Sequence, residues 1–499
     1  MKKKNRITAL ALVLTAGMVC VTGCGSSKSQ ESSSGKDKNK QREEITKQEE
    51  DQKKGNDKEE DWDDTEQKSS DDMSDEKSHE KKTINEGEKQ VISDDVINNG
   101  GTVIACDGKT YYWKYNEESF NGEALYQHYA PQKDAKNELV CVSEDGSEEV
   151  LYTGNAGGAL YIMGDRLYFL KNTYNENGYS YTDELVYMKF VKGKWNSNDI
   201  HRVGNGEIKA VDTKRSMIIF DGDLGDGKTC LYAIDQNDES TFIGYAVSFV
   251  AYEDGMIYYQ DNSAIQNEDD ARNGSVALYQ SDLEGDSVLL AKTEPDLYEF
   301  ASGGKCVIEC AQVVDDMIYF SYGRYDGSAY LFQGGNIARV SKNGTDYEVV
   351  TSIGENNQFY VYSDQKGEKL IFQKLYNKNL VMDLNTGEEK ETSKPAGAVG
   401  KAFAAYSDDS NETKYYLYQE ADGKVSELFS DIDYKSENPE EAVSFKDVEC
   451  VGEYVYYRID YGMHNQENDV GWRYSYDREK TEVYRKNLET DETELLYEY

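Results

Sequence analysis

The sequence predicts an all-β fold: a seven- or eight-bladed β-propeller of four-stranded antiparallel blades, preceded by a disordered tether. Short aromatic and β-branched runs, separated by Gly, Asn and Asp, fill the chain beyond residue 90, which is typical of many short strands. Similar runs recur at intervals of about 40 to 60 residues without helical periodicity, which indicates repeated β units. A polar stretch before residue 91 predicts the tether.

Eight strand-like cores define the repeat. Each has four residues, mostly aromatic or aliphatic, and many follow an Asp-Gly or Gly-Asp turn. The cores are Thr110–Trp113, Arg166–Phe169, Met217–Phe220, Met256–Tyr259, Met317–Phe320, Lys369–Phe372, Tyr415–Tyr418 and Tyr454–Tyr457. Another strand and a tight turn follow, as at Leu139–Gly146 and Ile337–Gly344. One unit is therefore strand, strand, variable loop, strand, turn, strand, which is a propeller blade. A pair of β-sandwiches is the alternative fold, although sandwiches do not usually repeat internally.

The pattern of residues 100–499 resembles the extracytoplasmic propeller repeats described as DUF5050-like, and the YWTD and TolB-type propellers. The resemblance rests on the spacing of the cores, since an intact Tyr-Trp-Thr-Asp motif is missing. It implies a propeller fold and leaves the activity open.

Composition narrows the class of partner. The 499 residues include 41 Tyr but only 4 Pro, which favours one large repeat domain over a disordered chain. Asp and Glu number 96 against 55 Lys and Arg, and removal of residues 1–23 takes the formal charge from −41 to −45. Such a surface repels polyanions and no basic stripe is present, so we expect no nucleic-acid binding.

Residues 1–23 have the three parts of a secretion signal: a basic start, an apolar stretch from Ile7 to about Val21, and small residues before Cys24. Val21-Thr22-Gly23-Cys24 resembles the lipobox of bacterial lipoproteins, which implies diacylglycerol on the Cys24 sulfur and cleavage before it. We therefore expect a protein anchored by lipid to the outer face of the bacterial cell membrane. A plain secretory signal or a single spanning helix is the alternative.

Residues 24–90 consist mainly of Ser, Lys, Glu, Asp, Gln and Asn, with Trp62 as the only aromatic residue. Such a stretch buries too little apolar surface to order itself, and it lacks an apolar heptad, so we expect a disordered charged linker. Contact with cell-wall polymers is an alternative role. The propeller domain is then predicted at 91–499.

One Gly-rich stretch contains two patterns that resemble ligand sites. Gly222–Thr229 matches the phosphate-binding P-loop pattern, but a strand-like run follows it where that motif needs a helix. Asp221–Asp226 has carboxylates for calcium, yet it departs from the EF-hand pattern. A hairpin loop explains both, so we expect no metal and no cofactor at this stretch.

Histidines and cysteines give no catalytic pattern. The body has His128, His201 and His464, each isolated in sequence, and six cysteines for which disulfides and buried thiols both stay open. Cys306 and Cys310 on one strand would lie about 13 Å apart, too far to bridge each other. Acids for a glycosidase cannot be singled out among 96 carboxylates.

Long aromatic loops between the second and third strands of a unit predict the ligand face. Tyr and Trp give contact area at low entropy cost, so they are common binding anchors. The candidates are Tyr174, Tyr179, Tyr181, Arg324, Tyr325, Tyr330, Trp472, Tyr474 and Tyr476. We expect a monomeric, non-enzymatic binding or scaffolding module for an envelope protein or glycan. An extracellular carbohydrate-active enzyme is the first alternative, and a sensory or solute-capturing accessory protein the second.

Overall fold

The computed structural model describes a large part of the propeller region. The described residues are 95–115, 136–174, 181–264, 275–293, 305–326, 331–354, 357–374, 378–392, 402–407, 412–418, 425–434, 442–468 and 471–499. The predicted signal peptide, Cys24 and the linker lie outside them, so these stay predictions. No helix among the described residues is long and apolar enough to cross a membrane.

The first half of the described chain forms three antiparallel sheets, each built from strands consecutive in sequence. The first sheet contains β1 (Val103–Cys106), β2 (Lys109–Lys114), β3 (Asn137–Ser143) and β4 (Glu148–Gly154). The second contains β5 (Ala156–Met163), β6 (Arg166–Tyr174), β7 (Tyr181–Val191), β8 (Lys194–Asp212), β9 (Met217–Asp223), β10 (Cys230–Asp235) and β11 (Ser240–Tyr245). The third contains β12 (Ser248–Glu253), β13 (Met256–Gln260), β14 (Ala277–Asp282) and β15 (Ser287–Lys292).

Four further sheets follow in the same way. The fourth sheet contains β16 (Lys305–Val314), β17 (Met317–Asp326), β18 (Leu331–Ser341) and β19 (Glu348–Ile353), and the fifth β20 (Phe359–Asp364), β21 (Gly367–Lys374), β22 (Lys378–Asp383) and β23 (Glu389–Glu391). The sixth contains β24 (Ala402–Ser407), β25 (Glu412–Tyr418) and β26 (Val425–Ser430), and the last β27 (Ala442–Val451), β28 (Tyr454–Asn468), β29 (Gly471–Asn487) and β30 (Thr493–Glu498). Two 3-10 turns, Asn262–Ala264 and Asp431–Tyr434, are the described helical segments. The all-β prediction is confirmed.

Every predicted core is the second strand of a unit. The eight cores fall in β2, β6, β9, β13, β17, β21, β25 and β28, each between a hairpin partner before it and a third strand after it. Two cores share the seven-stranded sheet because β8 serves twice: its residues up to Asn205 pair with β7, and those from Asn205 on pair with β9. The order of strands within the unit is therefore as predicted.

The fourth strands share a bulge that explains their pairs of adjacent apolar residues. In six units one extra residue of the fourth strand faces the third strand, and in the sixth sheet one extra residue of the third strand, β26, faces β25; in each case the extra residue is a branched aliphatic. These residues are Leu151, Val203, Ile243, Leu290, Val350, Leu428 and Leu496. A bulge turns an additional side chain inward, and Leu151 and Leu290 are indeed buried. The residue before each bulge is left on the outside.

First strands contact first strands between sheets. The contacts are β1 with β5, β12 with β16, β16 with β20, β24 with β27, and β27 with β1. Carboxamide side chains bridge several of these junctions. The Gln312 amide donates to the Val361 carbonyl and accepts the Val361 N–H, both at 2.8 Å. Gln260 bonds β16 in the same way, at the Cys306 carbonyl (3.2 Å) and the Ile308 N–H (2.8 Å).

The seam between the first and last sheets closes the two ends of the domain. Each of these sheets is built from its own end of the chain, without strand exchange. Glu449 on β27 accepts the N–H groups of Thr102 (3.0 Å) and Val103 (3.1 Å) and a hydrogen bond from the Asn98 amide (2.8 Å). The Tyr497 hydroxyl also donates to the Trp113 carbonyl at 2.7 Å. Side-chain contacts therefore hold the seam.

Candidate functional site

Bulges in three of the first strands carry charged residues, whereas the bulge of β12 carries Val250. The extra residue is Lys209 in β8 and Glu309 in β16, and in β27 Asp447 lies in the bulged segment. The bulges of the fourth strands carry aliphatic residues instead. Bulges are common beside functional sites because they redirect a side chain.

One group of such charged residues lies where β8 and β9 pair. Glu207 is directly opposite Asp221, and the Lys209 ammonium contacts the Glu207 carboxylate and lies 3.9 Å from the Asp221 carboxylate. All three side chains are largely buried, with exposures of 19%, 11% and 16% for Glu207, Asp221 and Lys209. Burial raises the pKa of Asp221, an effect that Lys209 opposes and Glu207 reinforces. The Lys209 ammonium is therefore shared by the Glu207 and Asp221 carboxylates.

Asp183 adds a third carboxyl near this pair. It belongs to β7, whose pairing with β6 includes Tyr174 opposite Tyr181. Burial raises the pKa of Asp183, and the negative charge of Glu207 raises it further. We call Asp183, Glu207, Lys209 and Asp221 the acid–lysine cluster. Titratable groups with pKa values shifted by burial and a neighbouring charge are typical of functional sites.

Glu309 is a separate half-buried carboxyl. It is the bulged residue of β16, and the Asn357 amide donates to it over a long 3.4 Å. Burial raises its pKa. Sequence alone had no means to distinguish this glutamate, or the acid–lysine cluster, from the other carboxylates. The available signal was Glu207-Ile-Lys209, two charges flanking one apolar residue in a strand.

The seam contains a small cavity. Its volume of about 40 Å³ suits a few waters rather than a substrate. Tyr112, Tyr497 and Arg458 are among its lining residues, and the Arg458 guanidinium is 2.9 Å from the Asp447 carboxylate. This charge pair lies in a structural junction, so we assign the cavity to packing of the seam.

The predicted aromatic face is only partly described. Tyr174 and Tyr181 lie at the facing ends of β6 and β7, and Arg324 and Tyr325 lie near the end of β17. Trp472, Tyr474 and Tyr476 belong to β29, where they pair with Glu467, Asn465 and Met463 of β28. These backbones are strands, whereas loops were predicted. Tyr179 and Tyr330 fall outside the described residues.

The Gly-rich stretch is a hairpin loop between β9 and β10, as predicted. The Asp223 carboxylate accepts the N–H groups of Gly225 (2.7 Å) and Gly227 (3.0 Å), so it stabilises the turn itself. The strand β10 begins at Cys230, where a phosphate-binding motif needs a helix. In the described part of the chain, no group of three His, Cys, Asp or Glu residues could hold a metal ion.

Cys141, Cys230 and Cys450 are free thiols, and the first two are buried. Cys306 and Cys310 lie on one strand, β16, as assumed. His201 stacks on Tyr187 and lies 3.3 Å from the Asp199 carboxylate. His128 lies outside the described residues.

No protein-family profile and no curated protein sequence matches the chain. Solved structures do resemble it. The β-propeller domain of the Trilobed protease from Pyrococcus furiosus is 13% identical, covering 68% of this chain and 94% of that one, with a TM-score of 0.34. TolB from Acinetobacter baumannii is 10% identical over 58% of this chain and 65% of its own, with a TM-score of 0.25. A post-proline cleaving enzyme from Rickettsia typhi is 12% identical over 72% and 57%, with a TM-score of 0.37.

These comparisons correct one prediction. The expectation that the chain is not an enzyme is corrected: the solved structures that resemble it include the post-proline cleaving enzyme, so the fold gives no ground for excluding catalysis. The lack of a catalytic histidine or cysteine pattern in the sequence was an insufficient ground for excluding catalysis. At 10% to 13% identity the likeness concerns the fold and assigns no activity to this chain.

Proposed function

We propose that this chain is a lipoprotein, held by a lipid on Cys24 at the outer face of the bacterial cell membrane, whose eight-bladed propeller binds an envelope glycan at the acid–lysine cluster. Eight second strands, and first strands that meet from sheet to sheet, support the eight blades. The lipobox-like Val21-Thr22-Gly23-Cys24 supports the anchor. The arrangement of Glu207, Lys209 and Asp221 carries the binding proposal.

The chemistry of the cluster suits a hydroxyl-rich ligand. Carboxylates accept hydrogen bonds and an ammonium group donates them, so neighbouring sugar hydroxyls find both kinds of partner. The backbones of Tyr174 and Tyr181 pair at the ends of β6 and β7, two residues along β7 from Asp183. The polyanionic surface disfavours an acidic polymer, so we expect a neutral or amino-bearing glycan.

The binding proposal is tested by co-sedimentation of residues 91–499 with purified wall glycans of the source bacterium. Replacement of Glu207 by Gln together with Asp221 by Asn removes both acceptor charges and should abolish sedimentation. The matched control is Glu489→Gln with Glu492→Gln, two exposed acids on the β29–β30 turn. Binding that survives in the cluster variant, or capture of a protein alone, would overturn the glycan proposal.

The anchor has its own test. Metabolic labelling with a palmitate analogue should mark the full chain, and Cys24→Ala should remove both the label and the association with membranes. An unlabelled chain that still sediments with membranes would contradict the lipid anchor.

A carbohydrate-active enzyme is the second candidate, and one observation favours it. Burial raises the pKa of both Asp183 and Asp221, and a carboxyl that stays protonated can act as a general acid at a glycosidic bond. Release of new reducing ends from the bound glycan, lost in Asp183→Asn, would establish catalysis. Binding of the glycan without release of product would contradict the enzyme candidate and would support recognition.

A further inference from the structure

Four apolar side chains are exposed along the outer strands of three consecutive units. Phe242 on β11 is 54% exposed, Val288 and Leu289 on β15 are 58% and 43% exposed, and Val349 on β19 is 50% exposed. Phe242, Leu289 and Val349 each directly precede a bulged residue, which turns inward in their place. We call these four residues the outer band.

The outer band is continuous across the units. Gly285, in the turn before β15, lies close to β11: a Cβ atom added to this glycine would be 3.0 Å from the Phe242 carbonyl oxygen. A Cβ added at Gly344, in the turn before β19, would lie 3.4 Å from the Leu290 carbonyl oxygen. Each turn therefore packs on the outer strand of the preceding unit. Among the described strands, none pairs with the free edges of β11, β15 or β19.

The charges beside the outer band are unbalanced. Glu239, Glu284, Asp286 and Asp346 are exposed on its turns, and none has an ion pair with another described residue. Lys292 is the exposed base at the end of β15, and Arg339 is already paired with Glu348. The band therefore combines apolar side chains with a negative field.

Outer strands elsewhere in the domain have matched charges. Their glutamates pair with Lys or Arg of neighbouring strands: Glu148 with Lys114, Glu389 with Lys374, Glu391 with Lys378, Glu427 with Lys414, and Glu494 with Arg485. Cross-strand pairs of this kind neutralise an edge and discourage pairing with other chains. Within the outer band, Glu348 of β19 is paired with Arg339 in the same way, so the unmatched acids of the band are those of its turns. Exposed turn acids without an ion pair to another described residue are also found outside the band, as at Glu489 and Glu492.

We propose that the outer band is a docking surface for an extended protein segment in which Lys or Arg alternates with apolar residues. The free edges of β11, β15 and β19 offer backbone groups for strand addition. Phe242, Val288 and Leu289 cover the apolar side chains of the segment, and Glu284 and Asp286 face its cations. Opposite charge and matched apolar area select this class of partner over a second copy of this acidic chain or an anionic membrane surface.

The test uses acetylated peptides of eight residues, one alternating Lys and Val, one alternating Glu and Val, and one alternating Lys and Ser. Fluorescence anisotropy with the full chain in detergent measures Kd at about 0.15 M salt. We expect the Lys-Val peptide to bind at least about tenfold more tightly than either control. Equal binding of the Lys-Ser peptide would mean attraction by net charge alone, and it would overturn the proposal.

Two variants locate the site. Phe242→Ser with Leu289→Ser removes apolar contacts, and Glu284→Lys with Asp286→Lys reverses the charge. Each should weaken binding of the Lys-Val peptide about tenfold. The matched control, Glu489→Lys with Glu492→Lys, changes the net charge equally on a turn outside the band and should change Kd less than about twofold. Equal losses in control and band variants, no peptide binding at all, or dimerisation that the serine variant abolishes would each contradict the proposal.

Discussion

Neighbouring sheets are bridged by different side-chain groups at the internal junctions and at the seam between the first and last sheets. At the junction of β16 and β20, the Gln312 carboxamide satisfies one N–H and one carbonyl of Val361. At the seam, the Glu449 carboxylate meets only donors, the N–H groups of Thr102 and Val103 and the amide of Asn98. Each side chain is complementary to the hydrogen-bonding groups that it faces. A carboxamide can bond one donor and one acceptor, whereas a carboxylate can accept bonds from several donors.

The difference has consequences for stability. Internal junctions are also held by the covalent connection between consecutive units, whereas the hydrogen bonds between the described residues of the first and last sheets involve side chains, as at Glu449 and Tyr497. A charge-assisted hydrogen bond is stronger than a neutral one. The carboxylate of Glu449 therefore suits the seam, where no covalent connection joins the two sheets. Burial nevertheless raises the pKa of Glu449, and the bonds from Thr102 and Val103 only partly offset this.

The largest effect is expected from Glu449→Ala. It leaves two backbone N–H groups, the Thr102 hydroxyl and the Asn98 amide without this acceptor in a half-buried place, so the free energy of unfolding should fall by about 3 kcal/mol. Denaturant unfolding measures this. Glu453→Ala, an exposed glutamate of the same hairpin, is the control and should change stability by less than about 0.5 kcal/mol. Equal stability of the two variants would refute the role of the seam carboxylate.

Exchanging the two side-chain groups sharpens the comparison. Gln312→Glu cannot donate to the Val361 carbonyl, and Glu449→Gln presents an NH₂ group to donors. Each variant should lose about 2 kcal/mol of unfolding free energy in denaturant titrations. A neutral result for either exchange would show that the chemical distinction between the junctions is unimportant.

Tyr497→Phe removes a single hydrogen bond at the seam. The substitution keeps the ring, which stacks on Tyr112 at 6.2 Å, and removes the hydrogen bond to the Trp113 carbonyl. The expected loss is about 1 kcal/mol of unfolding free energy, which thermal unfolding can detect. Tyr245→Phe, at an exposed ring on β11, should be silent.

The smallest expected effect is the pH dependence of the turn at Asp383. Its carboxylate accepts the N–H groups of Asn385 and Thr386 and pairs with Lys369, which lowers its pKa from 3.8 to about 2. A lowered pKa means that the unfolded chain is protonated first, so this stabilisation is lost as the pH falls from 3.8 through about 2. The stability difference between the parent and Asp383→Asn should shrink over that range.

Glu449 should respond with the opposite sign. Its raised pKa means that the folded chain takes up the proton first, so its contribution to stability increases as the pH falls from neutral towards 4.5. Unfolding measured against pH in the parent and in Glu449→Gln separates this increase from the loss at Asp383. A stability difference that is constant with pH would contradict the raised pKa.

Local sequence predicted the strands well because each second strand carries its own pattern. Met217–Phe220 and Met317–Phe320 are apolar runs between turn residues, and both are buried second strands. The β28–β29 hairpin was predicted less well. Trp472 was assigned to a loop, yet it lies in a 17-residue strand that forms a hairpin with β28. Aromatic residues favour strands, so the alternation of Trp472, Tyr474 and Tyr476 was itself a strand pattern.

The acid–lysine cluster could not be predicted in the same way. Glu207 and Asp221 are 14 positions apart, and they meet only because the bulge at Lys209 sets the register of β8 against β9. Likewise, nothing local distinguishes Glu449 from other glutamates, since its partners lie more than 340 residues away. Such sites depend on register and on which sheets meet.

By itself, the sequence determined the repeat, the order of strands within a unit and the acidic surface, because these follow from periodicity and composition within short windows. Only the tertiary structure decided which carboxylates are buried together, which edges keep unmatched charge and how the two ends of the domain are joined. The physical reason is that burial and pairing depend on groups brought together from distant parts of the chain, and a carboxylate carries no local mark of the partner it will meet.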